Sequence, residues 1–183
     1  ITTPYKLSEI TNPNEPLLKK LLLEAPGTYH HSLMVGNLAE AACNAVGGNA
    51  ILARAGAYYH DIGKLKRPAY FSENQYNENP HDKLTPELSA ATIISHVTDG
   101  EEIAKQYKLP PQIRRIIKAH HGTTTVSYFY HKAKKLSESG IVDIEKYRYK
   151  NILPKSREEV SVMLADSVEA AVRSLDDKSA ENV

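Results

Sequence analysis

Cysteine, tryptophan, net charge and long apolar runs are all scarce in this chain of 183 residues. The single cysteine, Cys43, permits no internal disulfide, which is typical of a reducing, cytosolic setting. Its Ala-rich helical surroundings favour a small core residue over a nucleophile. The net charge of +1 provides no global basic field that could hold a DNA or RNA duplex. No apolar run approaches the roughly 18 residues needed to cross a bilayer, and no signal peptide opens the chain.

The length suits one domain with a proper core, with room for short appendages. The start, Ile1-Thr2-Thr3-Pro4, lacks a methionine, so we expect the sequence to be part of a longer protein. We therefore expect residues 1–15 to be a linker from an upstream region and residues 16–177 to form the domain. Residues 178–183 are expected to be a polar tail.

Proline, glycine and N-capping residues divide the chain into helical segments almost throughout. Asn49 can cap a helix in which Ala53 and Ala57 recur four residues apart and allow a neighbouring helix to approach closely. Ser156 and Glu159 fit a capping box. The predicted helices are residues 17–25, Thr28 to the stop at Gly47, the segment after Asn49, Thr85 to near Gly100, residues 101–107, Pro110 to the stop at Gly122, residues 123–139, and Ser156 to the polar tail.

Two segments interrupt this helical pattern. Residues 66–84 contain Pro68, Pro80, Ser72 and three Asn residues, which predicts an irregular loop. A long loop in a compact domain is often a lid or a binding loop. Residues 141–155 are predicted to form a second loop, of which residues 141–144 could be a short strand.

The pair His60-Asp61 is the most informative feature, because further histidines and an aspartate lie at spacings that allow them to converge on it. Imidazole and carboxylate groups suit a borderline transition metal. Two histidines with two aspartates can hold one ion, and three more histidines can hold a second ion if one aspartate bridges. The ligand count therefore predicts a two-metal hydrolase. The candidate ligands are His31, His60, Asp61, His96, His120, His121 and Asp166.

Most of these residues have an ordinary alternative explanation when taken alone. Asp166 lies in the apolar run 162–168, where a carboxylate is costly unless it is paired or bound to metal, but it could also contact water at the edge of that stripe. His60, at a helix end, could interact with the helix dipole. His96, on an apolar helix face, could be a hydrogen-bonded core histidine. These alternatives require several independent coincidences, so we favour the joint metal site.

The remaining histidines are assigned by their position on the predicted helices. His31 shares a helix face with apolar residues and is expected to point inward, whereas His30 is rotated by about 100° and is expected near the surface or behind the ligands. His81, in the first loop, and His131 are both expected to be surface residues or to support the ligands from behind.

Three residues are candidates for contact with a substrate. Lys64 comes one helical turn after Asp61, where an ammonium group could meet a phosphate oxygen, although a solvated lysine would fit the sequence too. Arg115 belongs to a basic stretch before His120 that could guide an anionic ligand or form a plain exposed helix face. Tyr29 could stack on a base, or it could pack against the core.

The pattern His31…His60-Asp61…Asp166 resembles the HD superfamily of metal-dependent phosphohydrolases. Residues 22–35, 56–64 and 163–170 are similar to the cytoplasmic HD domain of the seven-transmembrane HD receptors. The resemblance implies an all-α helical bundle with a di-metal site in its core. It also implies that the chain is the cytoplasmic domain of a multi-pass membrane protein, with transmembrane and extracellular sensor regions upstream.

The same resemblance implies a phosphodiesterase that hydrolyses cyclic di-AMP to the linear 5′-phosphorylated dinucleotide, with iron or manganese as its metal. We expect a hydroxide that bridges the ions to be the nucleophile, with Asp61 bridging and Lys64 offsetting the charge on the phosphoryl oxygens. Residues 149–154 depart from the Tyr-Pro-Gly-Pro stretch of the family, which affects the shape of that loop. The implied ligands are His31, His60, Asp61 and Asp166 for one ion, and Asp61, His96, His120 and His121 for the other.

Two other classes of function fit the sequence. A single-metal HD nucleotide phosphohydrolase, acting on dNTPs, nucleoside monophosphates or (p)ppGpp, would need only four of the ligands. A catalytically silent nucleotide-sensing module could retain all of them. The residues alone do not separate iron from manganese or cyclic di-AMP from cyclic di-GMP, and a homodimer is left open.

Overall fold

The computed structural model describes residues 3–76 and 78–175, and this part of the chain is built from helices and turns. It contains no strand, only one antiparallel bridge between Thr125 and Arg148. The predicted all-α fold is therefore confirmed. The helices are α1 (Pro4–Ile10), α2 (Pro16–Glu24), α3 (Pro26–Ala45), α4 (Ala50–Tyr59), α5 (Pro86–Gln106), α6 (Pro111–Ala119), α7 (Ser127–Leu136) and α8 (Arg157–Arg173).

Helix starts follow simple capping chemistry. Proline occupies the first turn of α1, α2, α3, α5 and α6, where its fixed φ favours the helix and its missing N–H costs nothing. The side chains of Asn49, Thr85 and Ser156 accept hydrogen bonds from the first turns of α4, α5 and α8. Thr28 does not cap α3, which begins two residues earlier; its buried N–H donates to the Asn74 side chain and its hydroxyl donates to Glu73.

Helices α3, α4 and α8 form the centre of the bundle. Ala53 and Ala57 of α4 are fully buried against Val35 and Ala39 of α3, as their spacing predicted. These small side chains allow the axes of α3 and α4 to approach closely. The polar residues near the ends of these helices are thereby brought into one region. A second cluster of buried residues joins α1, α2 and α6 to the other side of α4.

Several predicted boundaries were wrong. Helix α5 continues through Gly100 to Gln106, and this glycine serves close packing instead of ending the helix, since a Cβ atom added to it would lie 3.3 Å from Gly63 N. Residues 141–144 are not a strand, and a 3₁₀ turn follows at Ile144–Tyr147. The stretch 1–15, expected to be a linker, contains α1, whose Leu7 and Ile10 are buried in the core. The expected tail at 178–183 lies outside the described residues.

The irregular segment 66–84 is ordered against the bundle by short 3₁₀ turns and buried side chains. Asn74 accepts a hydrogen bond from the Thr28 N–H at 3.1 Å and donates one to the Thr28 hydroxyl at 2.8 Å. Phe71 and His81 are also buried. The segment thus covers the start of α3. Among the described residues, no helix combines the length and apolar character needed to cross a membrane.

Candidate metal centre

All seven predicted ligands converge at one end of the central helices. His31 lies in the second turn of α3, the pair His60-Asp61 follows α4, His96 is in α5, His120-His121 follows α6, and Asp166 is in α8. All are buried except His121, which is partly exposed. Three groups have ligand atoms within 4.8 Å of one another: Asp61, His96, His120 and His121; His31, His60 and Asp61; and His60, His120 and Asp166.

Three of the histidines are oriented by their own helices. The Nδ1 atoms of His60, His96 and His120 lie 2.6, 2.6 and 2.7 Å from the carbonyl oxygens three residues earlier. A carbonyl can only accept, so each Nδ1 carries a proton, which leaves Nε2 as the nitrogen that can offer a lone pair to a cation at the centre of the cluster. Metal-binding histidines are commonly fixed in this way.

The donor set fits a cation. The Nε2 atoms of His96 and His120 lie 3.1 Å apart, and two facing lone pairs repel unless a positive charge lies beside them. The Nε2 of His60 and the Oδ1 of Asp61 are buried without a hydrogen-bond partner. Buried polar atoms normally have partners, so these atoms indicate that the cluster binds a metal.

Asp61 lies between the two halves of the cluster. Its Oδ2 is 3.5 Å from His31 Nε2 and 3.3 Å from His60 Nε2. Its Oδ1 is 3.3 Å from His96 Nε2 and 3.7 Å from His120 Nε2. Each carboxylate oxygen therefore faces a different pair of imidazoles, which is the arrangement that a bridging carboxylate requires.

Asp166 closes the cluster from α8. Its Oδ1 lies 3.1 Å from His31 Nε2 and 3.7 Å from His60 Nε2, and its Oδ2 lies 3.8 Å from His121 Nδ1. Burial opposes ionisation, but the neighbouring His31 and His60 outweigh it and hold the pKa of Asp166 well below its usual value. The alternative of a solvated aspartate therefore does not fit the structure.

The pKa values of the other ionisable groups in the cluster also depend on burial and on neighbouring charged groups. Burial raises the pKa of Asp61, but the charges of Lys64 and His60 outweigh it and leave that pKa well below its usual value. Burial lowers the pKa of His60, but Asp61 and Asp166 together raise it to about 10. Burial, with neighbouring histidines, lowers the pKa of His120 and brings that of His121 to about 3. The carboxylates that hold a proton on His60 would equally hold a metal ion in its place.

Lys64 is buried at the edge of the cluster rather than solvated. Its Nζ lies 2.7 Å from Asp61 Oδ2 and 2.6 Å from Glu73 Oε1. Burial lowers the pKa of Lys64, but the two carboxylates raise it above its usual value. Glu73 was not predicted, because it lies in an irregular segment whose sequence has no periodicity.

The sequence analysis also missed Glu169 and Tyr149. Glu169 Oε2 lies 2.5 Å from His31 Nδ1, so this imidazole too is held by its outer nitrogen. The signal was available, because Glu169 follows Asp166 by three residues and shares its helix face. The buried ring of Tyr149 stacks on His121 with centroids 4.4 Å apart. Tyr149 begins the loop that departs from the family sequence, and no periodic signal indicated its contact.

The remaining predicted residues lie farther from the cluster. Arg115 pairs with Glu159 at 2.6 Å on the side of α6 that faces the start of α8. Tyr29 is half-buried and packs against the core. His81 is not a surface residue, because its Nε2–H donates to the Tyr70 carbonyl at 2.8 Å and its ring packs on Phe129. His30 and His131 are exposed, as expected.

We expect Glu169→Ala to lower the metal affinity of the cluster by roughly 10- to 100-fold, because His31 loses the acceptor that fixes its ring. Chelator competition during metal titration measures this change. Glu169→Gln is the matched control, since its amide oxygen can still accept the His31 N–H and should preserve most of the affinity. Equal affinities for the alanine variant and the parent would show that α3 alone orients His31.

Comparison with known proteins identifies relatives that share the region of the site. Residues 28–171, which include all seven candidate ligands, match the HD domain family. The chain is 53% identical over its whole length to the cyclic-di-AMP phosphodiesterase PgpH of Bacillus subtilis, and 52% identical over 95% of its length to the protein of that name from Listeria monocytogenes. It spans 26% and 24% of the lengths of these two relatives.

A solved structure is also similar. The crystal structure of the L. monocytogenes phosphodiesterase PgpH HD domain in complex with cyclic-di-AMP has a TM-score of 0.85 and 52% sequence identity with this chain. The match covers 91% of this chain and 78% of that one. The likeness thus extends over most of this chain.

Proposed function

This chain belongs to the HD domain family, and from that membership we propose that it is a metal-dependent phosphodiesterase that hydrolyses cyclic di-AMP to linear 5′-pApA. The observation that carries the proposal is the position of Asp61, whose two oxygens face two different pairs of imidazoles. The names of the two relatives and the ligand of the solved structure support the choice of substrate.

We infer that the cluster holds two transition-metal ions, iron or manganese. The mixed imidazole and carboxylate donors suit either metal. When bound, such a pair lowers the pKa of water to give a nucleophile near neutral pH and stabilises charge at phosphorus. The proposed ligands are Asp61, His96, His120 and His121 for one ion, whose ligand atoms form one group within 4.8 Å. For the other ion they are His31, His60 and Asp61, joined by Asp166, whose Oδ1 lies 3.1 Å from His31 Nε2 and 3.7 Å from His60 Nε2.

The protein supplies the remaining charge through Lys64. An ammonium group has three N–H donors, and the carboxylates of Asp61 and Glu73 account for two of them. The third is available to a phosphoryl oxygen, where it offsets the negative charge that develops during displacement. Because Lys64 is buried, this charge acts in a medium of lower dielectric than water and is correspondingly more effective.

A cavity of about 490 Å³ lies between the segment 66–84 and α7 and is of a size that small-molecule sites have. Phe71 connects this cavity to the cluster, since its ring meets the His96 ring at 5.8 Å and the Lys64 ammonium at 4.9 Å. We propose that a base of the dinucleotide occupies this cavity, where aromatic side chains can stack on it. The aromatic lining consists of Tyr70, Phe71, Tyr128 and Phe129.

We also propose that the chain is the cytoplasmic domain of a longer membrane protein whose upstream transmembrane and extracellular regions sense a signal. The greater length of the curated relatives supports an additional region. A fusion of a fluorescent protein to the full-length gene product, with cell fractionation, would test this placement.

The function is tested by measuring metal content and hydrolysis together on protein purified anaerobically and loaded with iron or manganese. We expect about two ions per chain and preferential cleavage of cyclic di-AMP over cyclic di-GMP. His31→Ala should lose metal and activity, whereas His30→Ala, an exposed neighbour, should retain both.

Other outcomes identify the alternatives. One ion per chain, with turnover of a dNTP, a nucleoside monophosphate or (p)ppGpp, would indicate a single-metal nucleotide phosphohydrolase. Binding of cyclic di-AMP without turnover at saturating metal would indicate a silent sensor.

A further inference from the structure

Glu73 connects the segment 66–84 to the edge of the metal centre. Its carboxylate lies 2.6 Å from Lys64 Nζ, accepts a hydrogen bond from the Thr28 hydroxyl at 3.1 Å and lies 3.3 Å from Arg173 Nη1. The side chain is only 7% exposed. A carboxylate is seldom buried in an irregular segment unless its charge is used, because removal from water is costly.

Lys64 needs a second partner in order to be held in one place. Lysine is a point charge on a flexible four-carbon stem, so a single ion pair leaves the ammonium free to rotate about its partner. Asp61 contacts it on one side, Glu73 on another, and the face of Phe71 lies 4.9 Å away. These contacts confine the ammonium.

We propose that Glu73 is a positioning residue, which fixes the Lys64 ammonium beside Asp61 so that its remaining N–H meets a phosphoryl oxygen of the substrate. This role rests on the proposed function, since it gives Lys64 a phosphoryl group to meet. Glu73 acts through Lys64 and is not expected to bind metal, because its carboxylate faces Lys64, Thr28 and Arg173.

The segment 66–84 is attached to α3 by a contact that does not involve Glu73. A purely structural role of Glu73 can therefore be distinguished from positioning of Lys64. Asn74 binds both the backbone and the hydroxyl of Thr28, which holds the segment on α3 without Glu73. Glu73→Gln keeps the size of the side chain and removes only its charge. The segment should therefore stay in place while the lysine becomes less confined.

A double-mutant cycle with Lys64→Ala tests the positioning role. Glu73→Gln should lower kcat by roughly 10- to 100-fold, with KM and metal content per chain near the parent values. The double variant should be no slower than Lys64→Ala alone, because Glu73 acts through the lysine. Glu78→Gln, an exposed glutamate of the same segment, is the matched control and should be as active as the parent. The proposal would be overturned if the losses in kcat multiplied in the double variant, or if Glu73→Gln had the kcat of the parent.

A second readout needs neither metal nor substrate. In the metal-free protein, Lys64 should react with an acetylating reagent more slowly than the exposed Lys83, as followed by mass spectrometry. Glu73→Gln should accelerate labelling of Lys64 without changing that of Lys83 or the thermal unfolding temperature. If Glu73→Gln does not fold, Glu73→Asp, which shortens the reach by one methylene, replaces it. Unchanged labelling of Lys64 would contradict the positioning role.

The two experiments also distinguish failure of the proposed function from failure of the positioning role of Glu73. A parent protein that fails to cleave cyclic di-AMP would defeat the proposed function, while the labelling rates would still decide whether Glu73 confines Lys64. An active parent with an additive cycle would defeat only the positioning role.

Discussion

Replacement of Asp61 by alanine is expected to abolish turnover, with a loss of at least about 10⁴-fold, and to empty the metal centre. Asp61 lies within 3.7 Å of imidazoles in both halves of the cluster, whereas Asp166 comes no closer than 3.8 Å to His121 in the second half. Without Asp61, the Nε2 lone pairs of His96 and His120 face each other and lose the carboxylate oxygen that lies within 3.7 Å of both. The loss of one carboxylate therefore affects both proposed ions.

Metal content per chain and hydrolysis of cyclic di-AMP, measured on protein free of contaminating nucleases, check this result. Asp82→Ala is the control, since Asp82 is an exposed aspartate of the segment 66–84. Asp61→Asn adds a finer test, because it keeps one carbonyl oxygen and the side-chain volume. Metal-dependent activity in Asp61→Ala would disprove the bridging role, and full loss of metal in Asp61→Asn would show that the charge itself is required.

The convergence of the ligands could be predicted because most of them lie at helix ends or on helix faces that sequence spacing reveals. His60-Asp61 and His120-His121 both directly follow a helix, and Asp166 interrupts an apolar helical run. Glu169 could have been predicted in the same way, because it lies three residues after Asp166 on the same helix face. The roles of these residues as ligands stay predictions until metal is measured.

The irregular segments could not be predicted in the same way. Glu73 and His81 lie where no periodicity links sequence position to direction, so nothing indicated that both are buried. Gly100 was taken for a helix stop because glycine often ends helices. The reason for a glycine at that position is instead the approach of another part of the backbone, which only the packed structure reveals.

The close approach of the Gly63 backbone to α5 makes Gly63→Ala the second substitution with a large expected effect. A Cβ atom at Gly63 would lie 1.8 Å from the carbonyl oxygen of His96 and 2.5 Å from the backbone nitrogen of Gly100. Both contacts are to backbone, so no side chain can rotate away, and α5 must move. Overpacking of a core costs about 1–3 kcal/mol, and we expect a loss in the free energy of unfolding at or above the upper end of this range.

The displacement of α5 should also change the metal centre. Asp61 lies two residues before Gly63 on one side of this contact, and His96 lies in α5 on the other side. Denaturant unfolding of the metal-free protein measures the packing cost without the stabilisation that bound metal adds. Gly100→Ala is the control: its Cβ would meet Ile117 Cγ2 at 3.0 Å and Gly63 N at 3.3 Å, while the helix gains roughly 0.5–1 kcal/mol from alanine. Its net change should thus be small. If Gly63→Ala were as stable and as well loaded with metal as Gly100→Ala, close packing of Gly63 against α5 could not be what places His96 opposite Asp61.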